Sequence, residues 1–306
     1  MLKYVLKRLL QTVVLLLAVT VVVFWAMNLA PGNPAEIMLG QDATPENVAK
    51  LMKEMGLDLP LHVQYVRFLQ NLLKGDLGNS FRTRRPVVEE IGRAFPVSVQ
   101  VAAISVAVSA VIGVTIGVIS AVRQYSVLDS TVRLGVLAGV SIPTFWLGLL
   151  LIYLFSVYLR ILPSSGWGSW RQAVLPCLTL ATFPLALFVR LTRSSMLEVI
   201  RQDHVRTARA KGLPGGTVVR RHALRNGLVP VVTVVGLQFA SLIGGSVMTE
   251  TVFAIPGLGR TLVMAVYSRD YPVIRGCTIL AASVFAVVNL VVDVLYTFLD
   301  PRIRYE

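Results

Sequence analysis

The chain has 306 residues, of which 55% are hydrophobic and only 15% are charged, and its net charge is +13. A soluble domain has about a quarter of its residues charged, so this composition argues against a soluble protein. Six apolar runs reach the roughly 20 residues that a helix needs to cross a bilayer, and they predict an all-α integral membrane protein with six transmembrane helices. The runs cover residues 9–29, 97–122, 134–159, 173–189, 228–249 and 277–299.

The first run follows Lys3, Lys7 and Arg8, as the apolar region of a secretory signal peptide also would. It is longer than the roughly 7–15 residues of such a region, and no small-x-small cleavage site follows it. Residues 1–30 are therefore interpreted as an N-terminal transmembrane helix.

The next segment, residues 31–95, is too long for a simple connection and is predicted to be a helical extracytoplasmic loop. Thr44 is placed to cap an amphipathic helix that Gly56 ends. A second apolar stripe covers residues 61–73, and residues 86–95 predict a third short helix along the membrane interface. The sequence leaves open whether this loop is only a packed cap or a platform for an extracytoplasmic partner.

Residues 96–299 are predicted to form a five-helix core, followed by a short tail, residues 300–306. Small residues recur at four-residue spacing within the spans, which lets helix backbones approach closely. Pro143, Pro176 and Pro184 predict kinks. The small-residue lines are Ser105, Ser109, Gly113 and Gly117, then Gly135 and Gly139, then Gly236, Ala240 and Gly244.

A positive charge of this size raises the possibility of nucleic-acid binding, but its placement favours membrane topology. Residues 1–8, 123–133 and 190–225 would share one side of a six-span protein, and together they hold +11 of the +13. The positive-inside rule then places both termini in the cytoplasm. The loop before the second span is balanced, with eight basic and eight acidic residues.

The largest concentration of charge lies in the loop between the fourth and fifth spans. Asp203 is a plausible N-cap for a helix of about two turns that Gly212 ends, with Lys211 in its last turn. A second short basic helix is predicted over residues 217–225, before Pro230 opens the fifth span. The alternative is a solvated basic loop that only sets topology, and physical reasoning alone leaves both open.

The sequence lacks the common nucleotide-binding, metalloprotease and serine-hydrolase motifs. It contains no GxxxxGK[ST] phosphate-binding loop, no HExxH and no GxSxG. Its two cysteines, Cys177 and Cys277, both fall in spans and suggest neither a disulfide framework nor a metal site. No catalytic residue and no metal ligand is predicted.

Several strings together resemble one family, the ABC-importer permeases of the dipeptide, oligopeptide, nickel and glutathione branch. The resemblance covers essentially the whole chain and follows a consistent order. In chain order the strings are PGNPA near Pro31, GDLGNSF near Gly75, LTRSSMLEV at 191–199, TARAKG at 207–212, HALRN at 222–226, ETVFAIPGLGR at 250–260, RDYPV at 269–273 and NLVVDVLYTFLDPRIRY at 289–305.

The resemblance implies a type I ABC-importer permease fold, in which the loop 190–226 carries a coupling helix that docks on a separate ATPase subunit. Many importers have Glu-Ala-Ala at the contact motif, whereas this chain has Arg206-Thr207-Ala208, so a Glu-based salt bridge is excluded here. The implied coupling residues are Asp203, Arg206, Thr207, Ala208, Lys211, Gly212, His222, Arg225 and Asn226.

The same resemblance implies several partners for a bacterial inner-membrane protein. They are a second permease subunit, expected to be a different chain, two ATPase subunits, an extracytoplasmic substrate-binding protein and membrane lipid. The chain itself is expected to hold no cofactor, because ATP and magnesium would be bound by the ATPase subunits. Nucleic acid is not expected.

Polar residues within the apolar runs are candidates for the substrate pathway. Gln238 is predicted at mid-membrane, although helix packing explains it equally well. Glu250 lies where the fifth span ends and would act as a cap or a gate. Asn289 and Asp293 share one face of the sixth span, and a structural pairing of Asp293 with Arg190 or Arg193 is preferred to substrate contact.

The resemblance implies an ATP-driven importer of small peptides, and the short loop 159–173 looks more like the glutathione members of the family than the dipeptide ones. A nickel or other metal-chelate permease is the alternative. An ATPase-independent secondary transporter would carry more ionisable residues inside the spans. An intramembrane enzyme would need paired catalytic or metal-binding residues at that depth, and the sequence has none.

Overall fold

A computed structural model of the protein describes residues 2–29 and 33–299, with side chains for residues 5–29 and 33–295. Across these residues the backbone is helical nearly throughout, and the only extended pairing is a bridge between Asn79 and Pro86. The helices are α1 Leu2–Leu29, α2 Pro34–Leu39, α3 Pro45–Met55, α4 Leu61–Leu73, α5 Val87–Val122, α6 Val127–Ser141, α7 Thr144–Leu151, α8 Trp170–Ile200, α9 Asp203–Ala210, α10 Gly215–Thr217, α11 Leu224–Gly227, α12 Val229–Gly245, α13 Val247–Val252, α14 Leu258–Tyr267 and α15 Tyr271–Leu299.

The predicted all-helical membrane architecture is confirmed. Four helices are long and apolar enough to cross a membrane singly, and two bent helix pairs bring the number to six. One pair, Val127–Ser141 with Thr144–Tyr158, bends by 100°, and the other, Gly215–Gly227 with Val229–Gly245, bends by 53°. The single spans are Val5–Leu29, Val87–Val122, Trp170–Ile200 and Tyr271–Leu295.

One compact unit comprises residues 99–255 and 287–299. Its centre is a close approach of α5 to α8. A Cβ placed on Gly113 would lie 2.8 Å from Cβ of Phe188, and one on Gly117 would lie 2.9 Å from the carbonyl oxygen of Val189. Ser109 Oγ donates a hydrogen bond of 2.9 Å to the Ala181 carbonyl across the same contact. The first predicted small-residue line is therefore a helix interface.

The other small-residue lines are only partly confirmed. A Cβ on Gly236 would collide with Cγ2 of Val292, so α12 and α15 meet there. Gly139 lies in ordinary contact distance of Thr182, while Gly135 and Gly244 face open space in the described structure. The four-residue spacing therefore predicts close helix packing correctly at some of these residues, but not at all of them within one chain.

The second compact unit comprises residues 2–98 and 256–286. Its α3 begins as predicted, since the Thr44 side chain accepts from the Asn47 amide, and it ends at Gly56 in the left-handed conformation, with φ of 67°. The buried Asp270 carboxylate receives Ser80 Oγ at 2.5 Å and the Phe81 amide at 3.0 Å. These bonds fix the loop before α5 against the start of α15.

The predicted separate helix over residues 86–95 is wrong, whereas the kinks predicted at Pro176 and Pro184 stay predictions. Residues 86–95 do not form a separate interfacial helix, because α5 runs unbroken through Pro96 over 36 residues. Pro176 and Pro184 likewise lie inside the uninterrupted α8. Membrane helices tolerate internal proline because neighbouring groups satisfy the freed carbonyls. At Pro143, by contrast, the chain turns by 100° rather than kinking.

Some predictions lie at the edge of the described part of the chain. Helix α1 ends at Leu29, and residues 30–32 and the predicted tail 300–306 lie outside the described residues. Asn33 accepts from the Ala35 amide and begins the short helix α2, which the sequence did not predict.

We expect Gly117→Ala to lower the free energy of unfolding by about 1–3 kcal/mol, because the added methyl meets the α8 backbone, which cannot give way as a side chain can. Gly244→Ala is the matched control. It should be neutral or slightly stabilising, since alanine is the better helix former and its methyl meets nothing within 4 Å. Thermal unfolding of the two solubilised variants compares them, and equal midpoints would contradict the packing described.

Candidate functional site

The site is built on α9, the eight-residue helix of the basic loop. Val205 and Ala208 are buried on one face of α9. Arg206 and Thr207 are exposed on the opposite face, and Arg209 is exposed at the edge of the buried face, one turn after Val205. The helix therefore presents two cations and a hydroxyl to solvent while its apolar side chains are held by the protein.

Helix α9 starts one residue earlier than predicted. Gln202 is the N-cap, so Asp203 is the first helical residue rather than the cap, and its negative charge suits the first turn. Lys211 is the C-cap. Gly212 has a φ of 76°, as the predicted helix end requires.

The buried face of α9 packs into an apolar cluster at the end of α8. Isolated helices of this length are unstable in water, so burial has to hold α9 in place. The cluster combines side chains from α5, α8 and both parts of the loop: Ala121, Met196, Val199, Val205, Ala208, Val218 and Ala223. Because Met196 and Val199 belong to α8, α9 is attached to one of the membrane-spanning helices.

The second part of the loop runs through α10, a π-helical stretch at Val218–Ala223, and α11. The predicted second basic helix is thus present, although its π-helical form was not foreseen. His204 Nε2 lies 3.2 Å from the His222 carbonyl oxygen and 3.4 Å from Asn226 Nδ2, so these contacts join the two parts of the loop. Arg225 is exposed beside them.

A buried ion pair lies near the same end of the unit, and sequence reasoning missed it. Arg193 donates to both oxygens of Asp129, from Nε at 2.7 Å and from Nη2 at 2.8 Å. Ser120 Oγ adds a third hydrogen bond of 2.5 Å to Asp129. The pair connects the first turn of α6 to α8, three residues before Met196.

This geometry corrects one prediction. Arg193 was considered as a partner for Asp293, whereas in the structure it engages Asp129, 64 residues earlier in the chain. No local sequence pattern marks such a pair. The Asp129 side chain is fully buried and that of Arg193 is 20% exposed, so the two charges compensate each other where water is largely excluded.

The candidate pathway residues lie on three helices, α12, α13 and α15. Gln238 is partly buried on α12. Glu250 is fully buried on α13 and accepts a hydrogen bond of 2.7 Å from Ser246 Oγ. Asn289 Oδ1 is buried without a hydrogen-bond partner in the described structure, and Asp293 lies one turn further along α15.

Within the described residues, no group of three His, Cys, Asp or Glu side chains could hold a metal ion. Cys177 and Cys277 are both buried and unbridged.

The described structure combines several candidate membrane spans with a short amphipathic helix that packs on one of them. The sequence matches the family model described as "Binding-protein-dependent transport system inner membrane component" over residues 113–305. A companion model for the N-terminal part of the membrane component matches residues 1–102. The chain belongs to this family, a multi-pass inner-membrane component of an ABC importer that does not itself hydrolyse ATP.

Relatives of similar length match along the whole chain. The glutathione transport system permease protein GsiC of Salmonella paratyphi A is 45% identical, with 100% of each chain covered. The dipeptide transport system permease protein DppB of Alkalihalophilus pseudofirmus is 40% identical, again with full coverage of both. A putative peptide transport system permease of Brucella abortus is 43% identical over 99% of both chains.

Solved structures show the same fold. The inward-facing MetNI methionine ABC transporter matches with a TM-score of 0.58 at 22% identity, covering 69% of this chain and 96% of that chain. An amino acid ABC transporter solved with histidines matches with a TM-score of 0.53 at 14% identity, covering 70% and 94%.

We expect Asp129→Asn to lower the free energy of unfolding by about 3 kcal/mol, because it leaves the Arg193 guanidinium uncompensated. Arg133→Gln is a matched control, since Arg133 also faces Asp129, at 3.9 Å, but is 56% exposed and should contribute less than about 1 kcal/mol. Denaturation of the purified variants measures both, and a loss for Arg133→Gln as large as that for Asp129→Asn would contradict the assignment.

Proposed function

We propose that the chain forms half of the translocation pathway of an ATP-driven importer of small peptides. The named relatives transport dipeptides, peptides and glutathione, and their identities of 40–45% over the full chain support the same class of cargo. The alternative cargo is nickel or another metal chelate. In either case a separate extracytoplasmic binding protein would do most of the cargo selection.

The proposed point of coupling is the exposed face of α9. A single observation carries this proposal: an eight-residue helix buries Val205 and Ala208 in its own protein while turning Arg206, Thr207 and Arg209 outward. A docked ATPase subunit would contact that exposed face. The cationic character favours a groove on the ATPase that offers carboxylates or carbonyl oxygens.

Coupling requires more than contact. ATP shifts the permease between two conformations only if the ATPase binds them with different free energies. Because α9 is seated on α8 through Met196 and Val199, movement of α9 would be passed to a spanning helix. We assign this coupling role to Asp203, Arg206, Thr207, Ala208, Lys211, Gly212, His222, Arg225 and Asn226.

The assembly we propose contains two ATPase subunits, a second permease chain of different sequence and the binding protein. The chain would divide into the N-terminal transmembrane helix 1–30, the extracytoplasmic loop 31–95, the core 96–299 with the coupling loop 190–226, and the tail 300–306. ATP and magnesium would bind only to the ATPase subunits. Gln238, Glu250, Asn289 and Asp293 remain our candidates for the pathway.

Gly212 gives a sharp test of the coupling loop. We expect Gly212→Pro to abolish transport-coupled ATPase activity, because proline cannot adopt the φ of 76° and cannot donate the Gly212 amide hydrogen bond to the Arg209 carbonyl. Gly212→Asn is the control, since asparagine tolerates the left-handed region and should keep most of the activity. The measurement is substrate-stimulated ATP hydrolysis in proteoliposomes, with chromatography to check assembly, and full stimulation of an assembled Gly212→Pro transporter would refute the docking role.

The proposed topology places both termini and the coupling loop in the cytoplasm. A reporter fused after residue 306 and a tag inserted between Pro214 and Gly215 should both be protected from protease added to intact spheroplasts. A tag inserted at residue 58, in the long first loop, should be cleaved. Cleavage of either of the first two tags would overturn this topology.

A further inference from the structure

A second candidate site surrounds Arg275 in the unit of residues 2–98 and 256–286. Arg275 lies in the second turn of α15 and is partly buried. Its guanidinium carbon lies 5.1 Å from the centre of the Phe68 ring, a cation–π contact. Among the residues that the structure describes, no carboxylate lies within 4 Å of this guanidinium and no hydrogen bond reaches it.

The Arg275 guanidinium is suited to binding an anion. Arginine keeps its charge in proteins and offers five N–H donors in a planar fork that suits phosphate or carboxylate oxygens. A charge inside a spanning segment is costly and is normally paired or functional. The described part of the chain supplies the cation and an aromatic face but no anion, which leaves room for a bound one.

The guanidinium faces a cavity of about 310 Å³, which is the size of a small-ligand pocket. Most of its wall is apolar, with thioether and aromatic side chains from α1, α2, α3, α15 and the loop before α5, and its uncharged polar members are Asn28, Gln64 and Asn79. The principal apolar residues are Phe24, Met27, Met38, Met55, Phe81 and Tyr271. One cation within an apolar wall suits an amphipathic anion, whose charged oxygens would meet Arg275 while its apolar part lies against the thioethers and rings.

The position of the cavity indicates a lipid. Phe24 and Met27 are in the last turns of the span Val5–Leu29, and Arg275 is in the second turn of the span Tyr271–Leu295, so the cavity lies where two spans meet the membrane surface. These two spans are the least buried of the four single ones. Trp25, next to Phe24, is exposed, as aromatic residues at membrane interfaces are.

We propose that Arg275 and this cavity bind the phosphate of an anionic phospholipid. Helix α1 exposes apolar side chains along its length, including Leu6, Leu10, Val14 and Val22, and offers a surface for the acyl chains. A peptide carboxylate has similar charge chemistry, but the membrane-boundary position and the lipid-accessible helix favour the phospholipid.

Native mass spectrometry of the assembled transporter tests this proposal. The transporter is purified in detergent, titrated with phosphatidylglycerol, and the retained lipids are counted for each complex. Arg275→Gln should lose one tightly held lipid, with affinity reduced by at least about tenfold. Arg93→Gln is the control, because Arg93 is 73% exposed and pairs with Glu89, and it should retain the lipid as the unmodified transporter does.

A second variant keeps the proposal testable if Arg275→Gln misfolds. Met38→Trp keeps the arginine but fills the cavity, and it should also lose the lipid. Retention of the lipid by Met38→Trp, or equal loss in Arg93→Gln, would overturn the proposal. Excess inorganic phosphate or dialanine should not displace the lipid, and displacement by either would assign the site to a free anion instead.

Discussion

The burial of Val205 and Ala208 beneath the basic loop is the constraint on which the coupling account depends. An eight-residue helix has too few hydrogen bonds to be stable alone, so its position is set by its apolar face. That face rests on Met196 and Val199 of α8. The exposed face is thereby free for a partner, and the partner's movement has a direct route into a membrane-spanning helix.

The Asp129–Arg193 pair gives the same end of α8 a second attachment. It joins α8 to the start of α6, while the glycine contacts at Gly113 and Gly117 join α8 to α5. Close backbone packing resists continuous deformation, so a force applied at the loop would move these helices together rather than locally. The unit of residues 99–255 and 287–299 therefore has the connections that a transporter needs to transmit motion.

Local rules predicted much of this structure from sequence. Hydropathy located all six apolar regions, the Thr44 cap and the Gly56 end bounded α3, and Gly212 ended α9. Features that depend on contacts between distant parts of the chain could not be predicted by those rules. The continuity of α5 through Pro96, the 100° turn at Pro143, the π-helical stretch after Thr217 and the partner of Arg193 all depend on which helices pack together, and no local pattern records that.

The most direct test of the account is site-specific crosslinking in the assembled transporter. Both native cysteines are buried and can be replaced, after which a single cysteine at position 206 carries a short photoactivatable crosslinker. We expect a crosslink to an ATPase subunit from position 206, but none from a cysteine at position 171, which is also exposed and lies in the first turn of α8, at its opposite end. An assembled, active transporter in which position 206 forms no crosslink to any ATPase subunit would contradict it.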